Sequence, residues 1–254
     1  MRYKKKRSRR LRRKTRKQNG GSERHTVVLI EGRKPRSLPI IIRSIFENLD
    51  KSWDLLLFHS TENEDWMRRI VEEQFPQYSS RITLKMIPGR PSNIDVDYYN
   101  SLMMKRENIL DKIPTEMFLI MQTDSILCKG KGHILKDFMK YDYVGAPWSH
   151  SEHTGNVGNG GLSLRRKSKM LEILEKCPVG HHQEDGFFSS GCDAVKPYKP
   201  SAEEAARFSI ESIYAPESFG VHKPWLHIIE LEPDLCKQCE GYEKLSYLHW
   251  QRDD

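Results

Sequence analysis

A chain of 254 residues with 37% hydrophobic and 30% charged side chains, including 5 Trp, 10 Tyr and 9 Phe, holds enough apolar material for a folded body. Global disorder, collagen and coiled coil are excluded. The longest apolar stretches, Trp53 to Phe58 and Met117 to Met121, fall far short of the ~20 residues a membrane helix needs. The basic N-terminus has no apolar segment behind it, so neither a transmembrane segment nor a signal peptide is expected. The formal charge of +7 is concentrated: Met1 to Lys17 hold 12 Lys or Arg and no acid, and subtracting them leaves the other 237 residues at −5. Residues 2–17 read as a self-repelling tail, a contact for nucleic acid or an anionic surface, or a nuclear address. Five cysteines at irregular spacing do not form a disulfide framework, and the single Cys236-Lys-Gln-Cys239 lacks the second pair of a zinc site. Free thiols in a reducing, cytoplasmic setting are therefore expected.

The expected organisation is a tail and Gly-containing joint over 1–22, one domain over 23–235 and an extension over 236–254. Thr26 to Ile30 is a short apolar run that predicts a buried strand. Ile41, Ile42, Ile45, Phe46 and Leu49 behind Ser37 and Pro39 predict a helix with proline in its first turn. Trp53 to Phe58 is the next strand, and Thr61-Glu-Asn-Glu64 has capping-box spacing ahead of a helix to about Phe75. A third strand is expected at Arg81 to Ile87, a helix over Tyr98 to Lys112, and a fourth strand at Met117 to Met121. The second half is less regular, with a helix at Lys167 to Lys176 and an acidic-aromatic segment at Glu184 to Phe188. Alternating strands and helices imply an α/β fold with a mostly parallel sheet, whose ligands sit beyond the carboxyl ends of strands. Glu31 and Arg33, His59 to Asn63, and Asp124 then share one rim.

No G-x-x-x-x-G-K-[ST], G-x-G-x-x-G, G-x-S-x-G or H-E-x-x-H is present, which disfavours P-loop kinases, Rossmann dehydrogenases, serine hydrolases and zincins. His181-His-Gln-Glu-Asp185 packs four candidate ligands into five residues, but no second cluster completes a metallohydrolase site. Gln122-Thr-Asp-Ser125 at a strand end is followed by Tyr143-Val-Gly-Ala-Pro-Trp148, Gly158-Asn-Gly-Gly-Leu-Ser-Leu-Arg165 and Gln183-Glu-Asp-Gly-Phe-Phe188. In this order they resemble the GT-A glycosyltransferases, most closely a glycosyltransferase-like family known from large DNA viruses, algae and bacteria. The resemblance spans about residues 26 to 230.

The resemblance implies a GT-A-like sheet with an irregular acceptor-side half, and a nucleotide-sugar donor bound by Glu31, Arg33, Gln122, Thr123, Asn159, Gly160, Gly161 and Lys223. It implies a divalent cation, Mn2+ or Mg2+, at Asp124 and the late His222, and a catalytic base at Asp185 or, second, Glu184. Gln122 stands where the family's D-x-D element has its first acid, supplying a neutral amide oxygen in place of a carboxylate. An acceptor hydroxyl needs such a base because it is a poor nucleophile until its proton is taken. The acceptor is a glycan, a protein or a small molecule. Trp148 and Trp225 are candidates to stack on a sugar face, with core packing as the other reading. The contrasting expectation is a non-catalytic module on the same scaffold, tethered to nucleic acid or an anionic surface through residues 2–17.

Overall fold

The computed structural model describes residues 23–89, 91–149, 157–180 and 183–250. The basic tail, and with it every expectation placed on residues 2–17, lies outside these. So do His181 and His182. In chain order the first half runs β1 (His25–Ile30), α1 (Leu38–Asn48), β2 (Trp53–His59), α2 (Glu64–Gln74), β3 (Ile82–Met86), α3 (Val96–Met104) and β4 (Met117–Met121). Then follow β5 (Ser125–Leu127), α4 (Leu135–Phe138), β6 (Tyr143–Gly145), β7 (Leu162–Arg166), α5 (Lys167–Lys176), α6 (Glu184–Ser190) and α7 (Ala202–Ala206). The remaining elements are β8 (Ser209–Ile210), β9 (Gly220–His222), α8 (Glu232–Gln238) and α9 (Tyr242–Trp250).

The main sheet has the order β3-β2-β1-β4-β7-β6. Its first four strands are parallel, and β7 and β6 are added antiparallel. Helices cover both faces, which is why β1, β2 and β4 read as near-continuous apolar runs. Alternate residues then divide between two cores. Val27, Leu29, Leu55, Leu57 and Leu119 pack with Ile41, Ile45 and Phe46 of α1. Val28, Leu56, Phe58, Phe118 and Ile120 pack with Leu102 and Met103 of α3, Ile173 of α5 and Phe188 of α6. Each fully buried Leu, Ile or Phe contributes roughly 1.5–3 kcal/mol of transfer free energy.

A smaller sheet of order β5-β9-β8 stands beside the main one. The chain leaves β4 at Met121, turns through Gln122 to Asp124 and enters β5. Antiparallel pairing sets Ser125 of β5 opposite His222 of β9. Residues far apart in sequence are thereby brought to the junction between the sheets. Among the described residues no helix is long and apolar enough to cross a membrane.

Three local expectations are corrected. The capping box at Thr61 does not form: Asn63 is the N-cap residue of α2, Ser60 Oγ accepts from the Asn63 and Glu62 amides, and Asn63 Oδ1 accepts from Ser60 N. The local turn is thus closed one residue earlier, by Ser60. Helix α3 spans Val96–Met104 rather than Tyr98 to Lys112, because Asp95 caps it by accepting from Tyr98 N and the chain turns at Lys105, where Arg106 pairs with Asp111. The cysteines are not all free thiols. Cys128 bonds to Cys239 and Cys177 to Cys192, and only Cys236 is free. Irregular spacing concealed both, since Cys128 and Cys239 are 111 residues apart and meet only when the C-terminal helices, α9 among them, pack against β5. The sequence argument for a reducing compartment falls with them.

Candidate functional site

A cavity of about 620 Å³ opens beyond the carboxyl ends of β1 and β4, where open parallel sheets hold their ligands. One wall is the turn after β1. Arg33 donates through its backbone N and Nε to Glu31 Oε1, at 2.9 Å each, and through Nη2 to Oε2 at 3.0 Å. Thr123 Oγ1 donates to the same Oε2 at 3.0 Å, so the buried Glu31 carboxylate clamps the β1 turn to the β4–β5 turn. Asn63 Nδ2 donates to the Glu31 and Arg33 carbonyls, which joins the end of β2 to this rim.

The floor is the junction of the two sheets. Asp124 Oδ1 and His222 Nε2 face one another at 3.3 Å, and among the described residues neither buried atom has an aligned hydrogen-bond partner. On the other side of the ring, His222 Nδ1 faces Glu211 Oε1 at 3.1 Å. Burial disfavours the charged form of both groups, but their proximity outweighs it. Asp124, with His222 and Lys223 beside it, is held well below the usual carboxylate range. His222, with Asp124 and Glu211 beside it, is pushed up to about 9. Lys223 follows in the left-handed region at φ 33°, its N–H donating to the Asp124 carbonyl at 3.0 Å.

The loop Asn159-Gly160-Gly161 closes the floor against the third wall. Two glycines are required there by close approach. A Cβ on Gly161 would stand 2.1 Å from His222 Nε2, and one on Gly160 would stand 2.8 Å from both Asp185 Cβ and Glu184 Oε1. The third wall is the start of α6. Glu184 receives two hydrogen bonds from Arg165, Nη1 to Oε2 at 2.6 Å and Nη2 to Oε1 at 3.1 Å, and both side chains are buried. Arg165 also lies over the rings of Tyr143 and Phe188. Asp185 accepts from the amides of Gly186 at 2.7 Å and Gly160 at 3.2 Å. Burial, then the neighbouring Glu184 charge, push its carboxyl up to about 6 despite those amides and Arg165.

All twelve site residues named from the sequence line this one cavity: Glu31, Arg33, Gln122, Thr123, Asp124, Asn159, Gly160, Gly161, Glu184, Asp185, His222 and Lys223. Trp148 also lines it, whereas Trp225 is buried beside Tyr242 in the core. Among the described residues, no group of three or more His, Cys, Asp or Glu is arranged to hold a metal ion.

Sequence reasoning missed Glu211, Arg165 and Asn100, whose Oδ1 accepts from Glu184 N at 2.9 Å. Arg165 left a trace. In Leu162-Ser-Leu-Arg165 the alternation sets Ser163 and Arg165 on one face of a strand buried over these four residues, which demands a buried partner for the guanidinium. Glu211 left none, since it follows a strand of only two residues.

The protein so defined is an α/β chain with a carboxylate-rich cavity at the carboxyl edge of a mostly parallel sheet. Residues 83–222 match the model of a family described as "Protein of unknown function (DUF5672)", and the chain belongs to that family. No curated protein matches it. Among solved structures it is similar to S. aureus TarS 1-349, at 10% identity and a TM-score of 0.46, over 72% of this chain and 63% of that one. It is also similar to S. aureus TarS 1-349 in complex with UDP-GlcNAc, at 9% identity and a TM-score of 0.44, over 89% of this chain and 70% of that one. In the first of these matches the chain spans less than two thirds of the TarS fragment.

Proposed function

We propose that this protein is a glycosyltransferase that moves a sugar from a nucleoside diphosphate sugar to an acceptor hydroxyl, assisted by a divalent cation. The observation that carries the reading is the pairing, in one cavity, of two unlike poles. Asp124, His222 and Lys223 form one, suited to a cation and a diphosphate, and Asp185 forms the other, a carboxylate suited to removing a proton near neutral pH.

The donor set fits a cation on two grounds. Asp124 Oδ1 and His222 Nε2 are orphaned buried atoms facing one another at 3.3 Å. Two ligands at right angles on one ion, with bonds of about 2.1 Å, stand ~3 Å apart. An oxygen and an imidazole nitrogen favour Mn2+ over Mg2+. Two protein ligands leave room for diphosphate oxygens, and the bound cation would supply Lewis-acid stabilisation of the leaving group.

The chain's own residues do the rest. Glu31, locked by Arg33 and Thr123, presents a preorganised rim to the nucleoside, and Lys223 sets an ammonium where negative charge develops on the departing diphosphate. Asp185 takes the proton of the acceptor hydroxyl as its oxygen bonds to the anomeric carbon and the bond to the diphosphate breaks. A carboxyl titrating near 6 is mostly ionised at pH 7 and still basic enough to accept. Glu184 is committed to Arg165 and acts by holding the start of α6 in place.

The test is thermal unfolding of the full chain with a panel of nucleoside diphosphate sugars, with and without Mn2+, beside Asp124→Asn. A donor at 100 times its Kd stabilises the native state by ~2.7 kcal/mol. Metal-dependent stabilisation by one donor, lost in Asp124→Asn, is the expected result. A folded protein that no donor stabilises would overturn the reading in favour of a binding module without transferase chemistry.

A further inference from the structure

Glu211 enters neither the sequence reading nor the chemistry above, yet it is a buried carboxylate lining the cavity, 3% exposed, whose Oε2 has no hydrogen-bond partner among the described residues. Burying an ionised group is costly, and a glutamine or leucine would fill the same space at less cost. Its surroundings give the reason. Parallel pairing of β8 with β9 sets Ile210 opposite Val221, so Glu211 and His222 leave the two strands side by side. Glu211 Oε1 faces His222 Nδ1 at 3.1 Å and accepts from Asn159 Nδ2 at 2.9 Å. Asn159 Oδ1 is in turn fixed by Gly161 N at 2.9 Å, and Gly161 lacks the Cβ that would strike the imidazole.

A carboxylate only accepts, so the hydrogen in the Glu211 contact must sit on Nδ1. Nε2 faces Asp124 Oδ1 and carries a hydrogen as well while the ring is charged; a cation bound there would displace that hydrogen and leave the one on Nδ1, held by Glu211, in place. Without Glu211 the buried ring is free to rotate about χ2 or to exchange tautomers.

We propose that Glu211 is a positioning residue for a divalent-cation site at Asp124 and His222: anchored by Asn159, it fixes the orientation and tautomer of His222 so that Nε2 and Asp124 Oδ1 converge. The proposal rests on the cation reading of the floor given under the proposed function. It assigns Glu211 no contact with the ion. Its role is set by hydrogen-bond acceptance rather than by negative charge.

The test uses the full chain and Mn2+ alone, with free and bound ion separated by electron paramagnetic resonance, in wild type, Asp124→Asn, Glu211→Gln and Glu211→Leu. Outer partners of metal-bound histidines change affinity by about 10–100-fold when removed. Glu211→Leu should lose Mn2+ affinity by that factor, and Glu211→Gln, whose amide oxygen still accepts from Nδ1–H and Asn159, should stay within about threefold of wild type. A residue that merely braced β8 would leave ion binding unchanged in a folded variant. A folded Glu211→Leu with wild-type affinity overturns the proposal, as does a Glu211→Gln that loses as much as Glu211→Leu. If Glu211→Leu does not fold, Asn159→Ala decides: a severalfold loss supports the anchor, and no loss overturns it. Retained Mn2+ binding in Asp124→Asn overturns the cation reading itself, whereas loss there with an indifferent Glu211→Leu overturns only the role of Glu211.

Discussion

Substituting Gly161 by alanine tests the geometry of the cavity floor with one added methyl. The new Cβ would stand 2.1 Å from His222 Nε2 and 2.4 Å from both Cδ2 and Cε1. Ordinary contact begins near 3.4 Å, so the ring or the loop must yield by about 1.3 Å. Neither is loose. The ring is buried and tied to Glu211, and β9 is paired with β5. The Gly161 carbonyl accepts from Gln122 N at 2.8 Å and from Ser125 Oγ at 2.9 Å. Overpacking of this kind costs roughly 1–3 kcal/mol, at roughly 2–4 °C of Tm per kcal/mol for a chain of this size. Displacing the imidazole should also reduce Mn2+ affinity by at least about tenfold. Gly186 is the control: a Cβ there meets nothing within 4 Å, and alanine inside α6 should be neutral or stabilising by up to ~1 kcal/mol. Thermal denaturation and Mn2+ titration of both variants decide the matter. A Gly161→Ala protein with wild-type Tm and affinity would refute the packing of the loop against His222.

Other outcomes follow from the same contacts. The Asp185 carboxyl, raised to about 6 from 3.8, binds its proton more tightly folded than unfolded, so its contribution to stability is present below pH 4 and lost as pH rises through 6. Asp185→Asn should therefore raise Tm relative to wild type at pH 7 but not at pH 4, retain donor binding and abolish transfer, and the wild-type rate should fall on the acid side near pH 6; loss of donor binding in the variant overturns this division of labour. Arg165→Met should cost about 3–5 kcal/mol by stranding the Glu184 carboxylate, while Arg165→Met with Glu184→Gln should recover part of it, measured as a double-mutant cycle in urea. Peptide mapping without reductant should find Cys128 joined to Cys239 and Cys177 to Cys192, with Cys236 alone alkylated. Loop-closure entropy puts the cost of reducing the longer loop at about 4–5 kcal/mol and of the shorter at ~3 kcal/mol, so reductant should lower Tm markedly.

How much was legible follows from the range over which each signal acts. Strands β1, β2 and β4 are buried on both faces, so burial is written into them as apolar runs that need no partner to be recognised. Their alternation with α1 and α2 implied parallel pairing, which in turn put Glu31, Arg33 and Asp124 on one rim, because side chains just past the carboxyl ends of parallel strands share an edge. The order of the glycine-rich and acidic segments then named residues that prove to line a single cavity. Contacts made across the fold were another matter. His222 was read as a late histidine, but only antiparallel pairing of β5 with β9 sets it beside Asp124. Glu211 reaches His222 through the register of a two-residue strand, too short to carry any periodicity. Glu184 and Asp185 are adjacent in sequence and chemically alike, and what separates them is Arg165, delivered by the antiparallel strand β7. The disulfides belong to the same class, since bonding depends on Cα atoms meeting and spacing says nothing of that. Sequence alone determined the four parallel strands, the helices between the first of them and the edge where the site lies, through local burial and propensity. Tertiary structure alone decided which carboxylate is paired, which is free and how the histidine is aimed, because each of those is a distance between atoms that the chain brings together only by folding.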